Sequence, residues 1–397
     1  MGANKQKIYI YTGVVFLAQL CLCISFNIVG PLLSDIMQHY AIELDGGGLM
    51  TLFQNIGGTL AIILLAIIMD KLNKPATFIA PLLLMAASML LIGIVPPYAV
   101  FMLMFLFFGI SISTMDMVGN AIIPDIHSEK RNAALSLLHG IAPIGAVISP
   151  VFAGTIVASG MPWYNVYTIV GCLILLVSVV YAIVYLSARK SLKVIRIQHT
   201  AKKEKGIFKK FIMDKRVLTA MGCVFIFAGF QSGIIVWVSK YFLDVFRCGT
   251  VAAGLGLSAY WLGTSIIRVL FGITPLRNLY IRRVIIYGSI SSGIVLAIGI
   301  ISRNYYLMLA CVFFSGCLNA PVLPHSIGML SGWYAKYSGL ASSAVFASLY
   351  LAFSLSPLLM GAIAYRWGMH VMMFVPAICT FLAGFIAILL PKEKMIR

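Results

Sequence analysis

Asp116 is the residue whose surroundings invite chemistry. It follows PPYAVFMLMFLFFGISIS, a run without charge, and leads into MVGNAIIPD. A carboxylate within hydrocarbon costs about 2.5–3.5 kcal/mol on insertion scales, so intramembrane acids are functional by default. Gly109, Ser113, Asp116 and Asn120 are spaced four, three and four apart, on one face of a helix. The opposite positions are Phe, Leu, Ile, Met and Val. A small polar stripe centred on an acid is expected to face a water-filled cavity. The acid lies about nine residues from the helix end, or ~13 Å at ~1.5 Å per residue, close to the midplane of a ~30 Å core. A carboxyl in such a place can take up a proton, become neutral, and let a cavity close without burying charge. The competing reading is a fixed acid bonded to a neighbouring helix, for instance through His139.

His139 shares its face with Ser136 and Pro143. It suits either proton sharing with Asp116 and solute contact, or a packed histidine. His325 is similar but lies nearer a helix end. Arg268, in Arg268-x-x-x-Gly272, is an anion anchor on one reading and a structural charge on the other. Asn27, Asn120, Gln231, Trp237, Trp261 and Asn319 are the other candidate solute-binding groups. They offer the amide donors, acceptors and aromatic faces a sugar needs, although amides also pair helices in membranes. Lys240 is expected to reach the outer surface along its alkyl stem.

The elements that must hold these residues follow from hydropathy. The chain is 397 residues long, 61% hydrophobic and 10% charged, with mean hydropathy +1.01. A soluble domain carries roughly 25% charge. Apolar runs near the ~20 residues that cross a bilayer recur from end to end. They divide into twelve expected helices: 8–33, 47–69, 77–96, 98–123, 133–158, 163–187, 217–243, 251–275, 283–302, 305–329, 339–364 and 370–390. Residues 188–216 form one long basic loop. The expected domains are therefore an N-terminal six-helix bundle, 1–187, that linker, and a C-terminal six-helix bundle, 217–397. All lysines and arginines except Lys240, Arg247, Arg268, Arg303 and Arg366 fall on the termini and loops of one side. The positive-inside rule makes that side, with both termini, cytoplasmic, and the expected location is the cell's inner membrane. The net charge of +18 thus reports topology and attraction to anionic lipids, not nucleic-acid binding. The eight cysteines include no CxxC pair and read as reduced packing residues, not a metal site. No nucleophile–base set, zinc spacing or glycine-rich nucleotide loop is present, which argues against an enzyme.

Six helices, a linker and six more is a transporter layout. Ala66-Ile-Ile-Met-Asp70-Lys71-Leu-Asn-Lys74 resembles the major facilitator superfamily signature G-x-x-x-D-[RK]-x-x-[RK], with alanine at the first position. Gly272-Ile-Thr-Pro-Leu276-Arg277 resembles its decayed second copy. The resemblance implies the major facilitator fold: all-α, integral to the membrane, twelve transmembrane helices in two six-helix bundles. It also implies a cytoplasmic gate in which the loop acid Asp70 faces the start of helix 11 near Ser338-Gly339. Lys71, Lys74, Asp125 and Arg131 join that gate. Asp116-Met-Val-Gly-Asn120 followed by Leu135-Ser-Leu-Leu-His139 is similar to the fucose:proton symporter family. That likeness implies proton coupling through Asp116 with His139, and a sugar-like substrate. The family often carries a second acid in helix 1, where this chain has Gly30, with Asp35 about 7 Å further along at ~1.5 Å per residue.

The expected function is secondary active transport: proton-coupled symport of a small polar solute such as a sugar, by alternating access. No cofactor is expected beyond the proton gradient. The expected partners are the solute and membrane lipids, and a monomer suffices because one chain holds both halves. Proton-coupled efflux of amphipathic compounds is the alternative within transport, and a non-transporting sensor the alternative outside it.

Overall fold

The computed structural model describes residues 2–68, 72–127, 131–192, 211, 213–273, 281–334 and 338–391. These residues are helical almost throughout. Among them, ten helices are long and apolar enough to cross a membrane, and two shorter apolar helices, Pro143–Ala158 and Phe374–Ile388, complete a set of twelve. The all-α membrane architecture expected from hydropathy is the one observed.

Contacts group the chain into two units. The first joins Met1–Val29 to Phe53–Ala201. It holds α1 (Gly2–Asn27), α3 (Leu49–Ile68, from Phe53 on), α4 (Lys74–Thr77), α5 (Ile79–Gly93), α6 (Tyr98–Ile126), α7 (Arg131–Ala158) and α8 (Tyr164–Leu192). Here α1 packs on α7 and α8, and α5 on α8 and α6. The approach of α3 to α6 needs glycine. A Cβ on Gly57 would stand 2.0 Å from Leu106 O, and one on Gly109 1.7 Å from Gln54 O. Small residues let helix backbones meet where lipid supplies no hydrophobic drive between them.

The second unit joins Gly30–Leu52 to Lys202–Arg397. From the early segment come α2 (Val29–His39), a 3-10 turn (Leu44–Gly46) and the first turn of α3. The rest is α9 (Lys215–Phe246), α10 (Thr250–Ile273), α11 (Ile281–Ser302), α12 (Tyr305–Asn319), α13 (Val322–Trp333), α14 (Ser338–Met372) and α15 (Phe374–Ile388). In this unit α9 packs on α14, α15 and α10, while α12 packs on α10 and α11.

Two expected spans are interrupted and a third is lengthened. The first divides into α1 and α2 at Ile28, because Pro31 has no N–H for the carbonyl four residues back. The tenth divides at Ala320–Pro321 into α12 and α13. The eleventh runs on to Gly368, whose φ of 84° lies in the left-handed region that glycine tolerates.

Candidate functional site

In the first unit, α6 carries Asp116, half-buried. Asn120, one turn on, donates from Nδ2 to Asp116 Oδ1 at 3.0 Å, and its own Oδ1 is buried with no hydrogen-bond partner. The polar stripe is not uniformly open. Gly109 lies against the backbone of α3 and Ser113 is buried. On the adjoining face, Gln19 of α1 donates from Nε2 to Met115 O at 3.2 Å. His139 lies on α7, its side chain outside the described residues. Asn27 is the last residue of α1, buried, with Nδ2 donating to Cys23 O at 2.8 Å.

Of the expected gate, Asp70 and Lys71 lie outside the described residues, and only the backbone of Arg131 is described. Lys74 and Asp125 are brought together, with Nζ to Oδ2 2.7 Å. Around them the chain is tied down. Tyr181 donates to Pro75 O at 2.8 Å and accepts from Tyr11. Thr12 donates to Ile8 O at 2.9 Å. Its oxygen is therefore the acceptor for His127 Nε2, also at 2.9 Å, which fixes that tautomer. Burial lowers the pKa of His127, which sits beyond the span.

In the second unit, Gln231 of α9 and Tyr260 of α10 are buried, and Gln231 Oε1 has no hydrogen-bond partner. Thr264 donates to the Tyr260 backbone carbonyl at 2.9 Å. Trp261 is next in sequence and buried. Arg268 donates from Nε to Ala320 O at 3.2 Å. Pro324, four residues on, has no N–H for that carbonyl, so the arginine serves the break between α12 and α13. Asn319 belongs to a buried cluster: Nδ2 donates to Ser292 Oγ, and Oδ1 accepts from Thr380 at 3.1 Å. Trp237 is fully buried, with Nε1 donating to Pro357 O at 3.1 Å. His325 stacks edge-on against Phe271.

Sequence reasoning missed a second charged group. Lys240 does not reach the surface: its side chain is 11% exposed, with Nζ 3.0 Å from Asp244 Oδ2 and 3.3 Å from Ser34 Oγ. Its charge also acts on Asp35. Only the i,i+4 spacing of Lys240 and Asp244 was visible beforehand, since Asp35 is far away in sequence.

A family model described as "Major Facilitator Superfamily" matches residues 15–277, two-thirds of the chain. The chain belongs to the major facilitator superfamily. It is accordingly a multi-pass membrane protein. Two solved structures share the fold. Both are described as a bacterial homologue of the human lysosomal transporter Spinster, in the inward-facing conformation. The occupied form has a TM-score of 0.75 at 13% identity and covers 96% of each chain. The unoccupied form has a TM-score of 0.73 at 13% identity and covers 98% of this chain and 97% of the other. A curated relative, "Protein TsgA homolog" of Buchnera aphidicola subsp. Baizongia pistaciae (strain Bp), is 21% identical over 260 residues. That match covers 65% of this chain and 64% of the relative, so this chain spans less than two-thirds of the relative's length.

Proposed function

We propose that this superfamily member carries a small polar solute, sugar-like in its hydrogen bonding, inward together with a proton, and that Asp116 carries the proton. The observation behind the reading is the half-buried carboxylate in an apolar span, held by Asn120 Nδ2 at 3.0 Å beside a buried acceptor, Asn120 Oδ1. A hydroxyl or amine of the solute would satisfy that acceptor. His139 is the proposed proton partner. Asn27, Gln231, Trp237, Trp261, Arg268 and Asn319 are the proposed solute-binding set, and Asp70, Lys71, Lys74, Asp125 and Arg131 the cytoplasmic gate. The similarity of the Asp116–Asn120 and Leu135–His139 stretches to the fucose:proton symporters supports the sugar and the coupling. Residues 1–187 and 217–397 would rock about the linker 188–216, with both termini in the cytoplasm of a cell whose inner membrane holds a monomer. No cofactor is needed beyond the proton gradient.

The deciding experiment uses purified protein in liposomes. A thermal-shift screen of sugars, organic acids, nucleosides and cationic dyes supplies the solute, and its flux is then measured with and without a proton gradient. Asp116→Asn is expected to lose gradient-driven uptake while counterflow exchange partly survives. Full gradient-driven uptake by that variant removes Asp116 from coupling. Outward movement of dyes in the native protein would favour efflux instead.

A further inference from the structure

The second unit includes a strap that comes from early in the chain. Gly30–Leu52 lies on the C-terminal halves of α9 and α14. Three approaches are backbone to backbone. A Cβ on Gly30 would be 2.3 Å from Ile235 O, one on Gly48 2.5 Å from Leu358 N and Cα, and one on Gly361 2.4 Å from Leu44 O. Trp237 fills the space between, with its ring 2.8 Å from a Cβ on Gly47 and 3.2 Å from one on Gly361.

The strap also brings charge. Lys240 Nζ lies 3.0 Å from Asp244 on its own helix and 3.3 Å from Ser34 Oγ on α2, next to Asp35. Lys240 is thus paired with Asp244, while Asp35, beside the serine it touches, is half-buried. Asp244 already matches Lys240, so seating the strap half-buries one negative charge that is incompletely compensated, which is costly. The other titratable groups at this end are His39, Tyr40, Glu43 and Asp45 on the strap, Tyr241 on α9, Arg247 just after it, and Tyr365, Arg366 and His370 on α14. Tyr241 and His370 bond each other at 3.3 Å, and Lys240 is the charge that acts on Asp35.

We propose that Asp35 is a proton-sensitive latch residue: a proton on its carboxylate removes the surplus charge and lets the strap seat on α9 and α14. The pKa of Asp35 agrees in direction. Burial pushes it above the ordinary carboxylate value, and its own backbone N–H and Lys240 only partly offset this. The sign follows from linkage. A carboxyl that binds its proton more readily in the seated state than in water favours seating as pH falls, and favours release as pH rises through that pKa. The latch rests on the proton-driven reading for its purpose, since the proton entering with the solute would close the face behind it.

The test places a reporter thiol at Ser239, which is fully buried and one turn from Ile235 on the same face of α9. In proteoliposomes, labelling of Ser239→Cys by an impermeant maleimide is corrected for labelling of the native cysteines. It is then normalised to the rate in denatured protein at the same pH. Asp35→Asn is expected to slow labelling about five-fold at about pH 7.5, the effect of a bias of about 1 kcal/mol. The parent should slow similarly between about pH 7.5 and 4.5, and Asp35→Asn should lose that dependence. Asp244→Asn, which releases Lys240 to Asp35, should also weaken the dependence. Gly48→Val, which cannot seat, should label fast at every pH. Labelling of Asp35→Asn that matches the parent in rate and pH response overturns the latch, and so does a Gly48→Val strap that leaves Ser239→Cys protected. The Asp116 reading fails separately, on gradient-driven uptake by Asp116→Asn, whatever the labelling shows.

Discussion

At the scale of single residues, hydrogen-bond accounting separates side chains that can meet a solute from those that only hold helices together. Asn120 keeps a buried acceptor open, and leaving such an atom unmet costs about 1–3 kcal/mol. A solute that supplies the donor recovers part of this. Asn120→Ala should therefore shrink the thermal stabilisation given by the screen's best neutral hit by more than half, while Thr380→Val, which loses the buried bonds to Ser289 O and Asn319 Oδ1, should lower the stability of the empty protein. Equal loss of ligand shift in both variants would contradict the distinction. Asp214 illustrates a purely structural acid. It caps α9 through Arg216 N at 2.8 Å, pairs with Arg216 Nη2 at 2.8 Å and accepts from Tyr334 at 2.7 Å. These partners, Arg216 first, hold its pKa well below the usual carboxylate range. A depressed acid stabilises above its unfolded pKa, and that contribution fades as pH falls through the folded value. Asp214→Asn keeps a capping oxygen but loses the ion pair with Arg216, so it should cost about 0.2–1 kcal/mol at neutral pH, and progressively less under acid. A melting-temperature series against pH checks both.

At the scale of elements, the helix spans were legible because each apolar run is as long as the bilayer is thick, and expected and observed ends agree within a few residues for most of them. The breaks were not. The chain has 15 prolines, and Pro143 and Pro150 lie inside an uninterrupted α7, whereas helix stops at Ile28 and at Ala320–Pro321. Whether a proline ends a helix depends on what satisfies the carbonyl it frees, and that partner is elsewhere in the sequence. Asp116 was legible as a lone acid in a long span, and Lys74 with Asp125 from the signature's position. The contact of Lys240 with Ser34, beside Asp35, was hidden because these residues are far apart in sequence and meet only in the fold. Arg268 turns this into a test. Its Nε serves Ala320 O, so Arg268→Met should destabilise by about 1.5–3 kcal/mol, the range for a hydrogen bond from a charged donor. Pro324→Ala restores a backbone N–H to the same carbonyl, and in that background Arg268→Met should cost less than about 1 kcal/mol. Additive losses in the double-mutant cycle would mean that the arginine does something other than close the break.

At the scale of the molecule, the chain crosses between its two units at Val29–Gly30, at Leu52–Phe53 and at Ala201–Lys202. The basic linker is thus one connection of three, and the strap commits part of the N-terminal sequence to the C-terminal unit. This has a measurable consequence for a chain cut within the linker. A piece spanning 202–397 lacks Gly30–Leu52, so Trp237, Leu358 and Gly361 lose the backbone that covers them. A piece spanning 1–201 carries the missing cover. Expressed together, the two should copurify in detergent and melt as one species, because the strap's close backbone contacts do not depend on the linker. Expressed alone, 202–397 should melt at a lower temperature and aggregate. Gly48→Val in the first piece should weaken copurification, since the valine side chain would collide with Leu358. If 202–397 alone is monodisperse and as stable as in the pair, the strap contributes little to that unit, and the linker is what keeps the two parts of the chain together.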